Sequence, residues 1–344
     1  MDAPDPAAPA DAPTDDETVV VSGIQPSGRL HLGNYFGAIR QHIDLHARHE
    51  AYYFIVNYHA MTSVDDADRL REHTFDVALD YLALGFDPEE AALFVQSDVP
   101  EVTELTWIFF NLLPTSRLEK GVAYKEKVNA GLTPNAGLFN YPVLQAADIL
   151  AYGGSLVPVG ADQKQNIEIA RDLARRFNQT YCPDDDPLFP VPEPHILDDV
   201  AVVPGLDGRK MSKSYDNTIG IFDEGDTLKD KVMSIVTDSK PLDAPKDPER
   251  CNVFALISLF ADDDTREQIA QQYREGGYGY GHAKQELLGL IEDHFAEARA
   301  RRKELEQRPD YVRDVLRSGA ERARERVAPI MERVRALTGL VRTR

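Results

Sequence analysis

The stretch SGIQPSGRLHLGNYFGAIR, Ser22 to Arg40, decides how this chain folds. Just before it, Thr18-Val-Val-Val-Ser22 is a β-branched run of the kind that fills a buried strand. Just after it, Asn34, Phe36, Ile39 and Ile43 begin an apolar spacing that predicts a helix. Between strand and helix, Gly23, Pro26, Gly28 and Gly33 let the backbone turn tightly and approach a ligand closely. A strand, a glycine-rich turn and a helix start together make an anion site. The first-turn N–H groups are unpaired there, and the helix dipole favours negative charge. His31-Leu32-Gly33-Asn34 adds an imidazole and an amide where phosphates would lie. The bland alternative is a strand–helix connection that is merely polar.

Outward from this stretch the chain alternates. Tyr52-Tyr-Phe-Ile-Val56 reads as a strand, followed by the polar turn Asn57-Tyr-His59 and a helix opening near Asp65 with Phe75, Leu79 and Leu82 inside. Ala92-Leu-Phe-Val-Gln96 is a third strand, and Glu101 to Leu113 another helix. This rhythm predicts an α/β fold: a Rossmann-like parallel sheet with helices on both faces and ligands at the carboxyl ends of the strands. Gln25, His31, Asn57 and His59 fall near such ends, although a lone His59 is more often structural. Ser116 to Lys127 is polar and reads as a solvated loop or helix face. In NYPVLQAADIL, Asn140 to Leu150, Pro142 suits the first turn of a helix, and Tyr141, Gln145 and Asp148 share one face. A carboxylate buried on that face needs a partner, and backbone donors would be the plain one. Leu156-Val-Pro-Val159 is a short strand leading through Gly160-Ala-Asp162-Gln163 into a helix that runs through Phe177.

Far downstream lies GLDGRKMSKSYDN, whose Lys210 and Lys213 stand three apart among serines. Such a loop can bring positive charge to a polyphosphate; a plain surface loop is the alternative. HLGN followed by KMSKS resembles the paired signatures of class I aminoacyl-tRNA synthetases. The longer stretches GIQPSGRLHLGN, YHAMT, YKEK, YPVLQAADIL, VPVGADQKQN and KMSKS are similar, in order and spacing, to the bacterial-type tryptophanyl-tRNA synthetases. The likeness runs from about Val20 to the C-terminus.

That resemblance implies a ligase of protein biosynthesis that forms tryptophanyl-adenylate from ATP and L-tryptophan, then charges tRNA(Trp). By it, Gln25, His31, Gly33 and Asn34 hold ATP, Asp162 lies near the ribose, and Lys210, Met211, Ser212, Lys213 and Ser214 close over the triphosphate. Lys127, Lys210 and Lys213 match the lysines that act on the phosphates. His59, Tyr141, Gln145, Asp148 and Gln163 line the amino-acid pocket, with Asp148 accepting the indole N–H. It further implies a homodimer, Mg2+ carried by the ATP phosphates, and no dedicated metal site. Gln145 stands where many tryptophanyl enzymes carry Met, which keeps a tyrosyl-tRNA synthetase open. A non-tRNA nucleotidyltransferase and a catalytically silent RNA-binding paralogue are further alternatives, but the second would lose lysines that are present here.

Composition sets limits around this reading. The chain has 344 residues, enough for two domains with cores, and no apolar run near the ~20 residues that span a bilayer. No charged-then-apolar signal peptide opens it, so the expected compartment is the cytoplasm. Two cysteines, Cys182 and Cys251, supply neither a disulfide framework nor a spaced zinc cluster. With 38 Lys and Arg against 58 Asp and Glu, the net charge is −20. A tRNA must therefore find a local basic patch, while the acidic remainder favours solubility at high salt. Residues 1–16 are Pro, Ala and Asp and read as a disordered acidic tail. The catalytic domain then spans 17–214. Residues 215–300 read as a smaller helical domain, which in the relatives reads the tRNA anticodon. The arginine-rich stretch 301–344, with Arg313, Arg317, Arg324, Arg333 and Arg335, reads as a helix packed back on the catalytic domain. Some of these arginines are candidates for tRNA phosphate.

Overall fold

A computed structural model describes residues 18–340 apart from Ser27, Leu132 and 197–202. The expected acidic tail, 1–16, lies outside the described residues, as do 341–344.

The first strand, β1 (Val19–Ile24), is flanked on one side by β2 (Glu50–Ile55) and β3 (Ala92–Val95) and on the other by β4 (Leu156–Pro158) and β5 (Glu193–His195). All neighbours are parallel and the order is β3-β2-β1-β4-β5. Alternation along the strands sorts the core. Val20, Tyr53, Ile55 and Leu93 pack on one face, and Val21, Tyr52, Phe54 and Phe94 on the other. The chain leaves β1 for β2 and β3, then returns to add β4 on the opposite side. The cleft outside β1 and β4 is thus a topological switch point, where such sheets bind ligands. Ser22 fastens it, its Oγ donating to the Pro158 carbonyl at 2.9 Å.

Two expectations differ in detail. The helix after the glycine turn is not uniform: α segments Leu32–Asn34 and Arg40–His46 enclose a π-helical stretch, Tyr35–Ile39. Its wider turn accompanies the packing of two adjacent rings, Tyr35 against Phe295 at 4.9 Å and Phe36 against Phe260 at 5.0 Å. Pro142 does not start its helix. The helix runs Ala136–Leu150 with Pro142 in its interior, because Asn135 already caps the start, its side chain accepting from the Leu138 N–H at 2.7 Å. The polar segment before it forms two short helices, Thr115–Leu118 and Val122–Asn129.

Beyond residue 214 the described elements are helical: Gly225–Ser234, Asn252–Ile257, Asp263–Glu275, Tyr280–Glu306 and Pro309–Thr338, with short 3-10 turns at Lys213–Tyr215 and Pro248–Arg250. Their apolar faces share one core with the sheet, since Leu228, Ile257, Tyr273, Leu287 and Phe295 cluster with Val20 and Leu93. The helix Tyr280–Glu306 runs through residue 300, where the sequence reading places a boundary. From it, Arg302 reaches the buried Asp80 and, at 3.1 Å, Asp76, both on the helix Ala67–Ala83. Two carboxylates near one buried site need such a cation. No described helix is long and apolar enough to cross a membrane, and Cys182 and Cys251 are both free thiols.

The terminal helix Pro309–Thr338 lies against β3, the strand that ends the sheet. Its arginines mostly point home. Arg322 donates to the Pro88 carbonyl at 3.0 Å, Arg324 to the Asp98 carbonyl at 2.8 Å, and Arg326 to the Tyr152 carbonyl at 3.0 Å. Arg333 pairs with Asp186 and Arg335 with Glu104, while Arg313 and Arg317 bond Asp310 and Asp314 of their own helix. The close approach depends on Gly319, where an added Cβ would fall 2.1 Å from the Leu93 carbonyl oxygen. Backbone cannot yield as a side-chain tip can. Gly319→Ala is therefore expected to destabilise the fold by about 1–2 kcal/mol, despite alanine's better helix propensity. Urea unfolding checks this; equal or greater stability would mean that the helix is not seated as described.

Candidate active site

A cavity of about 430 Å3 opens at the switch point. Four elements bring polar groups to it. The end of β1 supplies Gln25, the short helix Asn57–Ala60 supplies His59, the helix Ala136–Leu150 supplies Tyr141, Gln145 and Asp148, and the 3-10 turn Ala161–Gln163 supplies Gln163. Between them the wall is apolar, with Phe54, Val56, Ile149, Val157 and Val159. The ends of β2 and β3 are joined beside it, as Asn57 Nδ2 donates to Ser97 Oγ at 2.8 Å and Asn57 Oδ1 accepts from the Ser97 N–H at 3.1 Å.

Asp148 is the centre of this arrangement. Its side chain is 2% exposed. Oδ2 accepts from Gln96 Nε2 at 2.7 Å and bonds His59 Nε2 at 2.9 Å. Oδ1 is buried and has no partner among the described residues. Burial pushes the carboxyl up from the ordinary range, while His59 and then Gln96 pull it part of the way back. An oxygen left unpaired in a buried site costs free energy unless a ligand satisfies it. His59 thus serves at least as a clasp on Asp148, and its ring stands edge-on to Tyr141 at 6.2 Å.

A chain of amides adjoins this arrangement. Gln163 Oε1 accepts from Asn166 Nδ2 at 3.0 Å and from Gln145 Nε2 at 3.4 Å, and Gln163 Nε2 donates to Asp162 at 2.9 Å. Asn166 also reaches the Tyr141 hydroxyl at 3.5 Å. Asp162 itself is exposed and outside the cavity lining.

The sequence reading missed Gln96 and Asn166, both buried. Gln96 does close the third strand, where ligand-side groups fall, and its Oε1 accepts from the Tyr58 N–H at 3.0 Å. Asn166 ends the stretch VPVGADQKQN and lies one helical turn beyond Gln163. Those positions are the signal that was available.

The glycine turn and the lysine loop form a second cluster beside the first. Lys213 Nζ donates to the Gly28 carbonyl at 2.9 Å, across 185 residues of sequence. Partial burial lowers its pKa to about 8. Burial, and then the Lys213 charge, take His31 down to about 4, so at neutral pH it is an uncharged ring. That ring lies across Gly33, 3.0 Å from where a Cβ would stand, and the Asn34 Oδ1 accepts from the His31 N–H at 3.1 Å. Backbone seals the two loops together, the Leu32 N–H donating to the Ile219 carbonyl at 3.0 Å and the Ile221 N–H to the Leu30 carbonyl at 3.2 Å. Met211 is buried against Gly33 and anchors the loop, whereas Lys210 is exposed. Ser212 and Ser214 share a 2.8 Å hydroxyl contact. Lys127, half-buried, rides the helix Val122–Asn129, which packs on the pocket helix through Tyr124 and Phe139 at 4.9 Å.

The structure therefore brings Gln25, His59, Tyr141, Gln145, Asp148 and Gln163 together in one cavity, and His31, Gly33, Met211 and Lys213 together beside it. Among the described residues, no side-chain hydrogen bond draws Lys127 or Lys210 into either set.

Known proteins are similar to this chain in sequence and fold. A family model described as tRNA synthetases class I (W and Y) matches residues 14–296. The tryptophan–tRNA ligase of Rhodopirellula baltica is 52% identical over 321 residues, 93% of this chain and 99% of that one. The tryptophan–tRNA ligase of Fusobacterium nucleatum is 50% identical over 321 residues, 93% and 98% of the two chains. Among solved structures, the Campylobacter jejuni tryptophanyl-tRNA synthetase complexed with ADP and tryptophan matches with a TM-score of 0.86 and 45% identity, covering 94% of this chain and 100% of that one.

Proposed function

This chain belongs to the class I tRNA synthetases of the tryptophan and tyrosine family, and from that premise we propose that its cavity takes the tryptophan side chain with Asp148 Oδ1 as the indole's acceptor. The activity is the ATP-dependent activation of tryptophan and its transfer to tRNA. One observation carries the assignment of the site: a buried carboxylate oxygen with no partner among the described residues, on a side chain that lines a largely apolar cavity. An indole offers one N–H donor and no acceptor, which is what that oxygen lacks. A phenol would also need its oxygen satisfied, and the nearby Gln145 amide is already turned to Gln163. That favours tryptophan over tyrosine.

In the first step the amino-acid carboxylate attacks the α-phosphorus of ATP, the bond to the bridging oxygen breaks, and pyrophosphate leaves. In the second, a terminal ribose hydroxyl of tRNA attacks the acyl carbonyl and AMP leaves. Neither step needs a protein nucleophile, so the chain contributes alignment and charge. Gln163, with Asn166 and Gln145 fixing its amide, suits the amino acid's polar end. Neutral His31 and Asn34 serve as hydrogen-bonding groups at the helix start, and Gln25 closes the cavity between them and the amino acid. Gly33 gives the His31 ring room to lie over the helix start, beside the phosphates, and Asp162 takes the ribose. Lys213 supplies the cation already over the turn, with Lys127 and Lys210 joining from more open positions and Met211, Ser212 and Ser214 shaping the loop. Among the described residues no group of three or more His, Cys, Asp or Glu could hold a metal. Mg2+ would be held by ATP phosphate oxygens, where it offsets their charge.

The finer reading includes tRNA(Trp) as partner, residues 215–300 as the anticodon-reading region, a homodimer and the cytoplasm as its compartment. Tryptophan-dependent ATP–pyrophosphate exchange, run against a panel of amino acids, tests the assignment. Tryptophan is expected to support it best. Better exchange with tyrosine would overturn the pocket reading.

A further inference from the structure

A residue outside the lysine motif bonds both ends of the loop that carries Lys213. Asn217 is 2% exposed. Its Oδ1 accepts from the Ser212 N–H at 2.8 Å. Its Nδ2 donates to Asp207 Oδ1 at 2.7 Å and to the Lys210 carbonyl at 3.2 Å. Its own carbonyl accepts from the Leu206 N–H at 2.9 Å. One side chain thus joins the two ends of the loop 212–217 and ties both to the preceding hairpin. That hairpin is closed by the Met211 N–H to the Val203 carbonyl at 2.9 Å and the Gly205 N–H to the Arg209 carbonyl at 2.7 Å.

The fit is close. A Cβ on Gly205 would stand 2.2 Å from Asn217 Nδ2, so the amide occupies the place of a side chain. The loop it closes is not a relaxed one. Asp216, just before the clasp, has φ 50°, the left-handed region that non-glycine residues seldom enter. A conformation of that cost persists where surrounding bonds fix it. Two residues beyond Asn217, Ile219 begins the backbone bonds that join this segment to Leu30 and Leu32 on either side of His31. The loop is thereby fixed at its base to the first motif and internally by Asn217.

We propose that Asn217 is a positioning residue for adenylate formation: its amide holds the loop 212–217 in the shape that carries Lys213 over Gly28. The inference rests on the activity assigned above, and it gives Asn217 no contact with either substrate. Misplacement of a catalytic group by about 1 Å can cost up to ~100-fold, and a loosened loop retains part of its population in place. Asn217→Ala is expected to lower kcat in tryptophan-dependent exchange roughly tenfold while the Kd for tryptophan, measured by calorimetry, changes less than about twofold. Asn217→Asp sets a carboxyl 2.7 Å from Asp207, where only its protonated form can donate. Its rate relative to the unmodified protein should therefore rise as pH falls. An unchanged rate in Asn217→Ala, a parallel loss of tryptophan affinity, or a relative rate of Asn217→Asp that does not rise as pH falls would overturn the proposal. If the unmodified protein itself shows no tryptophan-dependent exchange, the functional assignment falls and this role with it. Exchange in the unmodified protein with an indifferent Asn217→Ala removes only the positioning role.

Discussion

Lys213→Ala is expected to slow adenylate formation about 100- to 1000-fold, with kcat and kcat/KM falling together and tryptophan affinity unchanged. The magnitude is that of one preorganised group removed from developing charge. The parallel loss follows because the contact matters chiefly when the pentacoordinate phosphate carries its charge, not when substrates merely bind. The geometry adds a pH signature. Burial lowers Lys213 to about 8, so in the free protein it is a cation below that pH and neutral above it. The kcat/KM for ATP should therefore decline as pH rises through about 8. Bound triphosphate favours the charged form and moves the limb of the kcat profile to higher pH. Lys213→Ala should lack that alkaline limb. Pre-steady-state adenylate formation measured across pH reads both effects, and a near-normal rate in the variant would show that the loop is not catalytic.

Asp148→Asn is expected to lower kcat/KM for tryptophan by about 3 kcal/mol, roughly 100-fold, and to lower it less for tyrosine. The reason lies in which oxygen is occupied. Gln96 Nε2 and His59 both bond Oδ2, so the new amide keeps its oxygen there and turns its NH2 to the position of Oδ1. A donor then faces the indole N–H, another donor. A phenol oxygen can accept from that NH2, so selectivity for tryptophan should narrow even though both rates fall. Circular dichroism should show a folded variant, because the bond from Gln96 survives. Acid gives the same result by another route. Burial raises the Asp148 carboxyl, so on lowering pH it protonates earlier than an exposed aspartate, and a proton on Oδ1 replaces the acceptor by a donor. Tryptophan activation should therefore weaken toward low pH, with the loss starting above the usual carboxylate range. Equal activity of Asp148→Asn and the unmodified protein would mean that the indole does not meet this oxygen.

The sequence by itself determined the parts of this protein that depend on neighbours along the chain. A β-branched run before a glycine turn and a helix start specifies a strand–turn–helix unit, and its repetition specifies a parallel sheet buried on both faces. Spacings of four and three put Tyr141, Gln145 and Asp148 on one side of a helix, wherever that helix began; Pro142 misplaced the start because the cap at Asn135 was the stronger signal. The glycine turn and the lysine loop were legible as glycine and charge patterns. What only the tertiary structure decided is which polar atoms meet. Gln96 reaches Asp148 over 52 residues, His59 over 89, and Lys213 reaches Gly28 over 185. No periodicity encodes such pairs, because each depends on how strands and helices from distant segments are ordered around the sheet. The free oxygen of Asp148 is the clearest case. Its residue type and face were local facts, but that Oδ2 is taken while the buried Oδ1 has no partner among the described residues was fixed by groups arriving from the turns after β3 and after β2.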